Sequence, residues 1–493
     1  MTERPVYVDL LPPCNCTCPA GEDIQGWMAA ADRGDYETAW RKVVQNNPLP
    51  AIIGRVCYHP CESQCNRAHF DDPVNIHAVE RFIGDQAIHN GWQFDPAAPS
   101  TGKHILIVGS GPAGLSAAYH LRRLGHAVTI YEAADKPGGM LRWGIPQYRL
   151  PRNILDAEIA RIEQMGVTIK LGTKLDDLSS AMQQFDAVFL AIGAQLAKRT
   201  EFSALDAITM LRDVESGVTP ALGRRVLVYG GGNTALDVAR TAKRLGAAET
   251  LIIYRRTREK MPAQEFEIQE AIEEGVMFKW LSTIKCVGED FVTIEKTRLD
   301  DQGLPQATGE YERIPGGTII LALGQDVDRS FLKSIDLTQP GVFCGGDMVA
   351  TNRTATVAIG HGKKEARRID AWLRAESSEA AAKHPLASYD RLNTRYYHHA
   401  PRATQDSIEM ERRATTFDEV HPGLDEAAAR SEAARCCSCG NCNECDNCYE
   451  VCPGDAVVKL GPGKRFKFNY ENCDSCGLCA EECPCGAIQM QVN

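Results

Sequence analysis

The sequence is short of several things, and each shortage excludes something. It has no run of about 18 apolar residues, so no membrane-spanning helix is expected. Met1 to Leu10 lack a basic region followed by an apolar stretch, so no export signal is expected. Positive charge is in deficit. The 54 Lys and Arg are outnumbered by 65 Asp and Glu, a net charge of −11, which argues against a nucleic-acid partner. Aromatic residues make up only 7%, too few for a base-stacking platform. No Ser-His-Asp set or paired-carboxylate arrangement is evident. At 493 residues the chain has room for roughly two to four domains with sizeable cores.

Cysteine is abundant instead. Of 20 cysteines, all but Cys286 and Cys344 fall in two terminal blocks, Cys14 to Cys65 and Cys436 to Cys485, at short metal-ligand spacings. Without an export signal this pattern reads as iron–sulfur ligation in a reducing cytoplasm rather than as disulfides. Cys286 and Cys344 read as ordinary buried thiols.

Between the blocks lie two glycine-rich turns. His104 to Val108 reads as a buried strand, Gly109-Ser110-Gly111-Pro112-Ala113-Gly114 as the turn, and Leu115 to Leu124 as a helix. This is the opening of a dinucleotide-binding βαβ unit, with the diphosphate on the helix N-terminus. The next strand, Ala127 to Tyr131, ends at Glu132, placed for a ribose hydroxyl. A turn at Lys136 to Met140, containing Gly139, follows. Phe185 to Gly193 reads as a strand ending in glycine. The second turn, Gly230-Gly231-Gly232-Asn233-Thr234-Ala235, follows the strand Arg225 to Tyr229 and precedes a helix from Leu236 to Leu245. Arg255 and Arg256 follow the next strand, Thr250 to Tyr254, and favour a 2′-phosphate, hence NADP, over the bare ribose of NAD. The strand Thr318 to Gly324 mirrors the one ending at Gly193. Gly341 to Asp347, with Gly346 and Asp347 at its end, then returns to the first unit before a helix at 355–373. One dinucleotide domain is therefore interrupted by another.

At the N-terminus, Pro12 to Pro19 leaves no room for regular structure, and helical patterns follow at Asp23–Ala31 and Tyr36–Val44. Six cysteines here, Cys14, Cys16, Cys18, Cys57, Cys61 and Cys65, suit a cluster, with zinc as the competing reading on spacing alone. At the C-terminus, Cys442-x2-Cys445-x2-Cys448-x3-Cys452-Pro453 and Cys473-x2-Cys476-x2-Cys479-x3-Cys483-Pro484 are two copies of the bacterial ferredoxin run. The fourth cysteine of each run serves the other cluster. One set is Cys442, Cys445, Cys448 and Cys483, and the other is Cys473, Cys476, Cys479 and Cys452. Cys436, Cys437, Cys439 and Cys485 are left over. Residues 374–434 read as linker and surface helices, in which His398 and His399 are solvated or packed.

The fold class expected is α/β. Two nested Rossmann-like domains (101–215 with 326–373, and 216–325) follow an α-helical iron–sulfur domain (1–98). A ferredoxin-like 2[4Fe-4S] α+β domain (435–493) comes after them.

Over roughly residues 14 to 372 the chain resembles the small subunit of bacterial glutamate synthase and its relatives. Those include the flavin module of dihydropyrimidine dehydrogenase and the large subunit of NADH-dependent ferredoxin:NADP oxidoreductase. The resemblance is carried by Arg55-Val56-Cys57, Val108 to Gly114, Trp143 to Pro151, Gly230 to Ala235 and Tyr254 to Arg258. It implies FAD on the first loop, with Asp347 reaching its ribityl or phosphate region, and NAD(P)(H) on the second. Gly193 and Gly324 are further candidate cofactor-binding residues. It implies one N-terminal [4Fe-4S] cluster on Cys18, Cys57, Cys61 and Glu80. Cys14 and Cys65 match only two ligands of a second.

The C-terminal ferredoxin resembles an addition found in flavin subunits of 2-oxoacid:acceptor oxidoreductases, phenylglyoxylate dehydrogenase among them. The expected role is an electron-transfer subunit with FAD, iron–sulfur clusters and a thiamine-diphosphate-type or ferredoxin partner. The alternatives are a stand-alone NAD(P)H:ferredoxin oxidoreductase, a glutamate synthase small subunit, or a cluster-bearing scaffold with an idle nucleotide site.

Overall fold

The structure is a computed structural model. It describes residues 3–175, 177–198, 200–328, 337, 339–350, 352–376, 384–461 and 463–492. The chain divides into two compact units: 97–373 with 407–422, and 1–96 with 374–406 and 423–493.

The first of these is built on two parallel five-stranded sheets. In one, the strand order is Val342–Cys344, Ala187–Leu190, His104–Val108, Ala127–Tyr131 and Thr168–Lys170. These strands are short apolar runs because both faces are covered: Ile105, Leu106, Ile107, Val188, Phe189 and Leu190 are fully buried. The other sheet runs Met277–Lys279, Glu249–Ile253, Arg225–Tyr229, Thr318–Leu321 and Leu205–Asp206. Each sheet places its glycine-loop strand at the centre. The first regains the chain only at Val342–Cys344, after the second is complete, so the two Rossmann-like domains are nested.

A three-stranded antiparallel sheet, Ser282–Val287, Phe291–Leu299 and Pro305–Pro315, is appended to the second domain. Cys286 lies there beside a β-bulge and is exposed, not the buried thiol expected; the bulge falls towards the end of the outer strand Ser282–Val287. Cys344 is half-buried.

Residues 407–422 belong to this unit. Val420 donates its N–H to the Tyr148 carbonyl at 3.0 Å, and Arg244 Nε donates to the Thr416 carbonyl at 3.1 Å. His421 bonds Glu270 at 2.8 Å.

The other unit is mainly helical at its N-terminal end. Ile24–Asp32 starts at Asp23, whose carboxylate accepts from the Gly26 N–H. Tyr36–Val44 buries Ala39, Trp40, Val43 and Val44 on one face, as its periodicity requires. Pro50–Val56 and Ile76–His89 pack backbone to backbone, since a Cβ on Gly84 would lie 2.3 Å from the Ala51 nitrogen. The Cys14–Cys18 stretch is not irregular: Pro13–Thr17 forms one helical turn, with proline at the position where its missing N–H costs nothing. His399 stacks on Phe70 with ring centroids 4.0 Å apart, a packing role.

At the C-terminal end two short helices, Asn447–Glu450 and Leu478–Glu481, and a hairpin of Val457–Val458 with Lys467–Phe468 form the ferredoxin-like portion. Each helix is entered through a left-handed residue, Asp446 (φ 67°) and Gly477 (φ 81°), at the same point of the two cysteine runs. The strand Glu3–Tyr7 pairs antiparallel with Ile488–Val492.

Candidate functional site

The first glycine loop is shaped by its own backbone. Gly109 has φ 104°, and a Cβ there would lie 2.6 Å from the Ala191 carbonyl oxygen. A Cβ on Gly114 would lie 1.9 Å from the Gly109 oxygen. Gly111 differs: the nearest atom to a Cβ there is the Gly139 Cα, at 4.0 Å. The space above Gly111 therefore lies open at the N-terminus of Pro112–Arg123, where backbone N–H groups favour an anion.

Ser110, fully buried, donates its N–H (2.9 Å) and hydroxyl (2.5 Å) to Glu132, which also accepts from the Ala134 N–H at 2.8 Å. Glu132 thus closes the loop and keeps further lone pairs for a hydroxyl.

Gly346 packs on Ala113, with a Cβ there 2.9 Å from the alanine Cβ, and so brings Asp347 to the same loop. Asp347 Oδ1 is buried and has no hydrogen-bond partner among the described residues. Burial raises its pKa, opposed by Arg353 and His361. An unpartnered buried acceptor beside an open glycine loop fits a polar ligand such as the hydroxyl-rich chain of a flavin nucleotide.

The second loop repeats the plan. Gly230 (φ 150°) lies against the Ala322 carbonyl, 2.2 Å from where its Cβ would stand, Gly231 lies under the Tyr254 ring, and Gly232 faces open space. Asn233 Oδ1 accepts from the Gln264 N–H at 2.9 Å, while Ala235 is buried in the core. Thr234 lies in the first turn of Asn233–Arg244. Gly193 and Gly324, each three residues past a mirrored strand, both have positive φ and open surroundings. Arg255 is exposed, and Arg256 Nε is buried without a hydrogen-bond partner among the described residues.

The cysteines gather into sets. Burial raises the pKa of Cys18, and Glu22, Glu80 and Cys57 are its charged neighbours. Cys61 has Cys57 and Cys18 beside it. Asn47, fully buried, donates to both Glu80 (2.7 Å) and Glu22 (3.0 Å). Cys448 is pushed up to about 12 by burial and by Cys442, Cys483 and Cys445. Cys479 is raised to about 11 by burial, Cys473, Cys476 and Cys452. Each ferredoxin run thus gathers with the fourth cysteine of the other.

Among the described residues no three cysteine sulfurs lie within 4.8 Å of one another, the only such group of ligand atoms being His59, Glu62 and His77. A single zinc ion with bonds near 2.3 Å would need tighter sets, so the spread favours clusters. Glu62 in the histidine group already accepts from Arg402 at 2.5 Å, which makes that group an ion-pair network.

Residues 103–362 match the family described as pyridine nucleotide-disulphide oxidoreductase. The chain belongs to that family. Residues 10–92 match the dihydropyrimidine dehydrogenase domain II, 4Fe-4S cluster family, and 441–487 the 4Fe-4S dicluster domain.

This family member is 34% identical to the NADP(+)-dependent formate dehydrogenase subunit beta of Moorella thermoacetica, over 86% of the chain and 70% of that protein. It is 34% identical to the NADPH-Fe(3+) oxidoreductase subunit beta of Geobacter sulfurreducens, over 86% and 74%. It is 33% identical to the NAD-dependent dihydropyrimidine dehydrogenase subunit PreT of Escherichia coli, over 74% and 92%. Among solved structures it is similar to Mycobacterium tuberculosis FprA in complex with NADPH, at 18% identity and TM-score 0.47, over 57% of the chain and 87% of that protein.

The chain is accordingly an FAD- and NAD(P)H-linked oxidoreductase subunit with iron–sulfur domains at both ends, as expected. Among the described residues no helix is long and apolar enough to cross a membrane. Sequence reasoning missed Glu22 and Asn47, whose roles depend on packing, and the placement of Cys436 and Cys439. These lie with Cys14 and Cys65 around one pocket, and only their C-x2-C spacing hinted at ligation.

Proposed function

We propose that this subunit passes electrons between nicotinamide nucleotide and iron–sulfur clusters through FAD. Asp347 carries the reading: its buried Oδ1, without a hydrogen-bond partner among the described residues, stands beside an open glycine loop, as an acceptor for a bound ligand would. We assign FAD to Gly109 through Gly114, Glu132, Gly139, Gly193, Gly346 and Asp347. NAD(P)(H) belongs to Gly230 through Ala235, Gly324, Arg255 and Arg256, where the basic pair supports NADP. Bound flavin supplies the exchange between hydride and single electrons. The loops hold the diphosphates, Asp347 accepts from the flavin's hydroxyl chain, and Arg256 meets the 2′-phosphate.

Three clusters fall on Cys18, Cys57, Cys61 and Glu80; on Cys442, Cys445, Cys448 and Cys483; and on Cys473, Cys476, Cys479 and Cys452. Cys485 Sγ lies 3.7 Å from Cys483. The hydrogen bond between the two sulfurs lowers the Cys483 pKa, an interaction of the kind that tunes cluster potential.

The partner is a separate catalytic subunit. The ferredoxin extension supports a 2-oxoacid:acceptor core of the phenylglyoxylate type. The formate dehydrogenase beta relative supports a formate-oxidising core as the second reading. Anaerobic purification of the native complex, with flavin, metal and subunit analysis, tests all of this. We expect FAD, iron and a stable heteromer whose flavin bleaches on adding NADPH. A chain that purifies alone and reduces ferredoxin would make it a stand-alone oxidoreductase. Flavin that neither NADPH nor NADH bleaches would make it a scaffold.

A further inference from the structure

Cys14 and Cys65 form half of a ligand set, and the residues completing it come from the other end of the sequence. Within the unit formed by 1–96, 374–406 and 423–493, a pocket is lined by Cys14, Cys65, Cys436, Cys437 and Cys439. Its apolar wall includes Ile24, Met28, Val74 and Ile76. Burial raises the pKa of Cys14, and its charged neighbours are Cys436, Cys65 and Cys439. Burial likewise pushes Cys439 up to about 12, with Cys437 and Cys65 beside it. Cysteine sulfurs gathered from both ends of the sequence in one largely apolar pocket are well placed for a metal centre, which deprotonates its ligands outright.

We propose that Cys14, Cys65, Cys436 and Cys439 hold a further [4Fe-4S] cluster, a relay between the Cys18–Cys57–Cys61 site and the ferredoxin pair. This rests on the iron–sulfur reading of the chain given above.

The fifth cysteine has another employment. Cys437 Sγ faces the Arg435 carbonyl at 3.9 Å, and the Arg67 guanidinium stands beside it. Cys436 and Cys439 have the two-residue spacing by which a chain bonds adjacent iron atoms, whereas Cys436 and Cys437 do not. Gln25 Nε2 pins the turn between them by donating to Ser438 Oγ at 2.5 Å. The relay role follows from the neighbours. Cys14, on the turn Pro13–Thr17, and Cys61, on the turn Pro60–Ser63, lie on two helical turns that pack against each other. On the other side, the Gly440 N–H donates to the Cys485 carbonyl at 2.7 Å, and Cys485 touches the ferredoxin ligand Cys483. Each transfer reduces this cluster by one electron and oxidises its donor cluster by one, with no bond or proton exchanged.

The test is iron, acid-labile sulfide and flavin per chain in the anaerobically purified full-length protein, with spin counting of the reduced state. The double variant Cys436→Ser, Cys439→Ser should lose about four iron and about four sulfide per flavin, and one spectroscopic component, while keeping FAD. Cys437→Ser should lose none. Unchanged iron in the double variant, or equal loss in Cys437→Ser, would overturn the assignment.

A second measurement needs no variant. Alkylation of the wild-type protein, mapped by mass spectrometry, should find Cys14, Cys65, Cys436 and Cys439 protected together and released together by an iron chelator. Labelling of Cys436 and Cys439 before chelation, or stoichiometric zinc in place of iron, would equally overturn it. Failure of the wider iron–sulfur reading would look different, because the wild-type protein itself would then lack iron.

Discussion

A Cβ on Gly114 would stand 1.9 Å from the Gly109 oxygen, but one on Gly111 would meet only the Gly139 Cα, at 4.0 Å. The two glycines should therefore fail differently. Gly114→Ala forces the helix off its strand and should cost about 1–3 kcal/mol or more in the flavin-free protein. Gly111→Val fits the protein and should leave the flavin-free melting temperature within a few degrees, yet abolish flavin retention. Thermal unfolding and the flavin-to-protein ratio check both, and a Gly111→Val protein with full flavin would remove the FAD assignment.

The arginine pair makes a second contrast. Arg256 Nε is buried without a hydrogen-bond partner among the described residues, so a 2′-phosphate would complete it with a charge-assisted hydrogen bond. Arg255→Ala with Arg256→Ala should raise KM for NADPH by about 10–100-fold and leave NADH nearly unaffected. Steady-state kinetics with both nucleotides decides it, and equal effects would end the preference for NADP.

At the scale of elements, what the sequence made legible is what depends on near neighbours. The strands Ala127–Tyr131 and Arg225–Tyr229 and the helices Tyr36–Val44 and Ala355–Leu373 have the bounds their periodicity indicates. The glycine loops and ferredoxin runs are local patterns too. Elements fixed by distant partners were not legible. Pro13–Thr17 is a turn of helix in a cysteine-rich run, Glu3–Tyr7 is a strand only because Ile488–Val492 pairs with it, and 407–422 is polar chain that reads as linker.

That last segment is held by charge, which gives it a pH dependence. Burial alone would push Glu270 up, but the His421 bond and the Arg240 charge outweigh it and hold Glu270 at about 2, below its ordinary 4.5. A carboxyl with a lowered folded pKa stabilises fully above its unfolded value and loses that contribution as pH falls. The His421 share of that contribution should therefore be lost, and the segment loosen, between pH 4.5 and about 2. Hydrogen exchange of residues 407–422 should show protection falling across that window. Glu270→Gln should be poorly protected at neutral pH and flat below it; a wild-type profile in that variant would refute the linkage.

At the scale of the whole molecule, the two ends of the chain are joined at one place. Glu3–Tyr7 pairs with Ile488–Val492, the Val8 N–H donates to the Ala487 carbonyl at 3.0 Å, and Tyr470 Oη donates to the Pro5 carbonyl at 3.1 Å. Tyr7 lies 5.2 Å from Phe468, ring to ring. Burial, with Cys442 and Cys448 close by, raises its hydroxyl pKa. The N-terminal strand thus covers the edge of the ferredoxin-like portion and places an aromatic wall against one of its cysteine sets. Removing residues 1–8 exposes a strand edge and opens that set to solvent and oxygen. We expect the truncated protein, purified anaerobically, to carry its full iron and FAD but to bleach its cluster absorbance several-fold faster in air, with FAD release unchanged. Tyr7→Phe, which keeps the wall and drops only the hydroxyl, should bleach at the wild-type rate. Equal bleaching of the truncated and intact proteins would show that the cysteine sets are shielded by their own hairpin and helices, and that the joined ends serve only to fasten the chain.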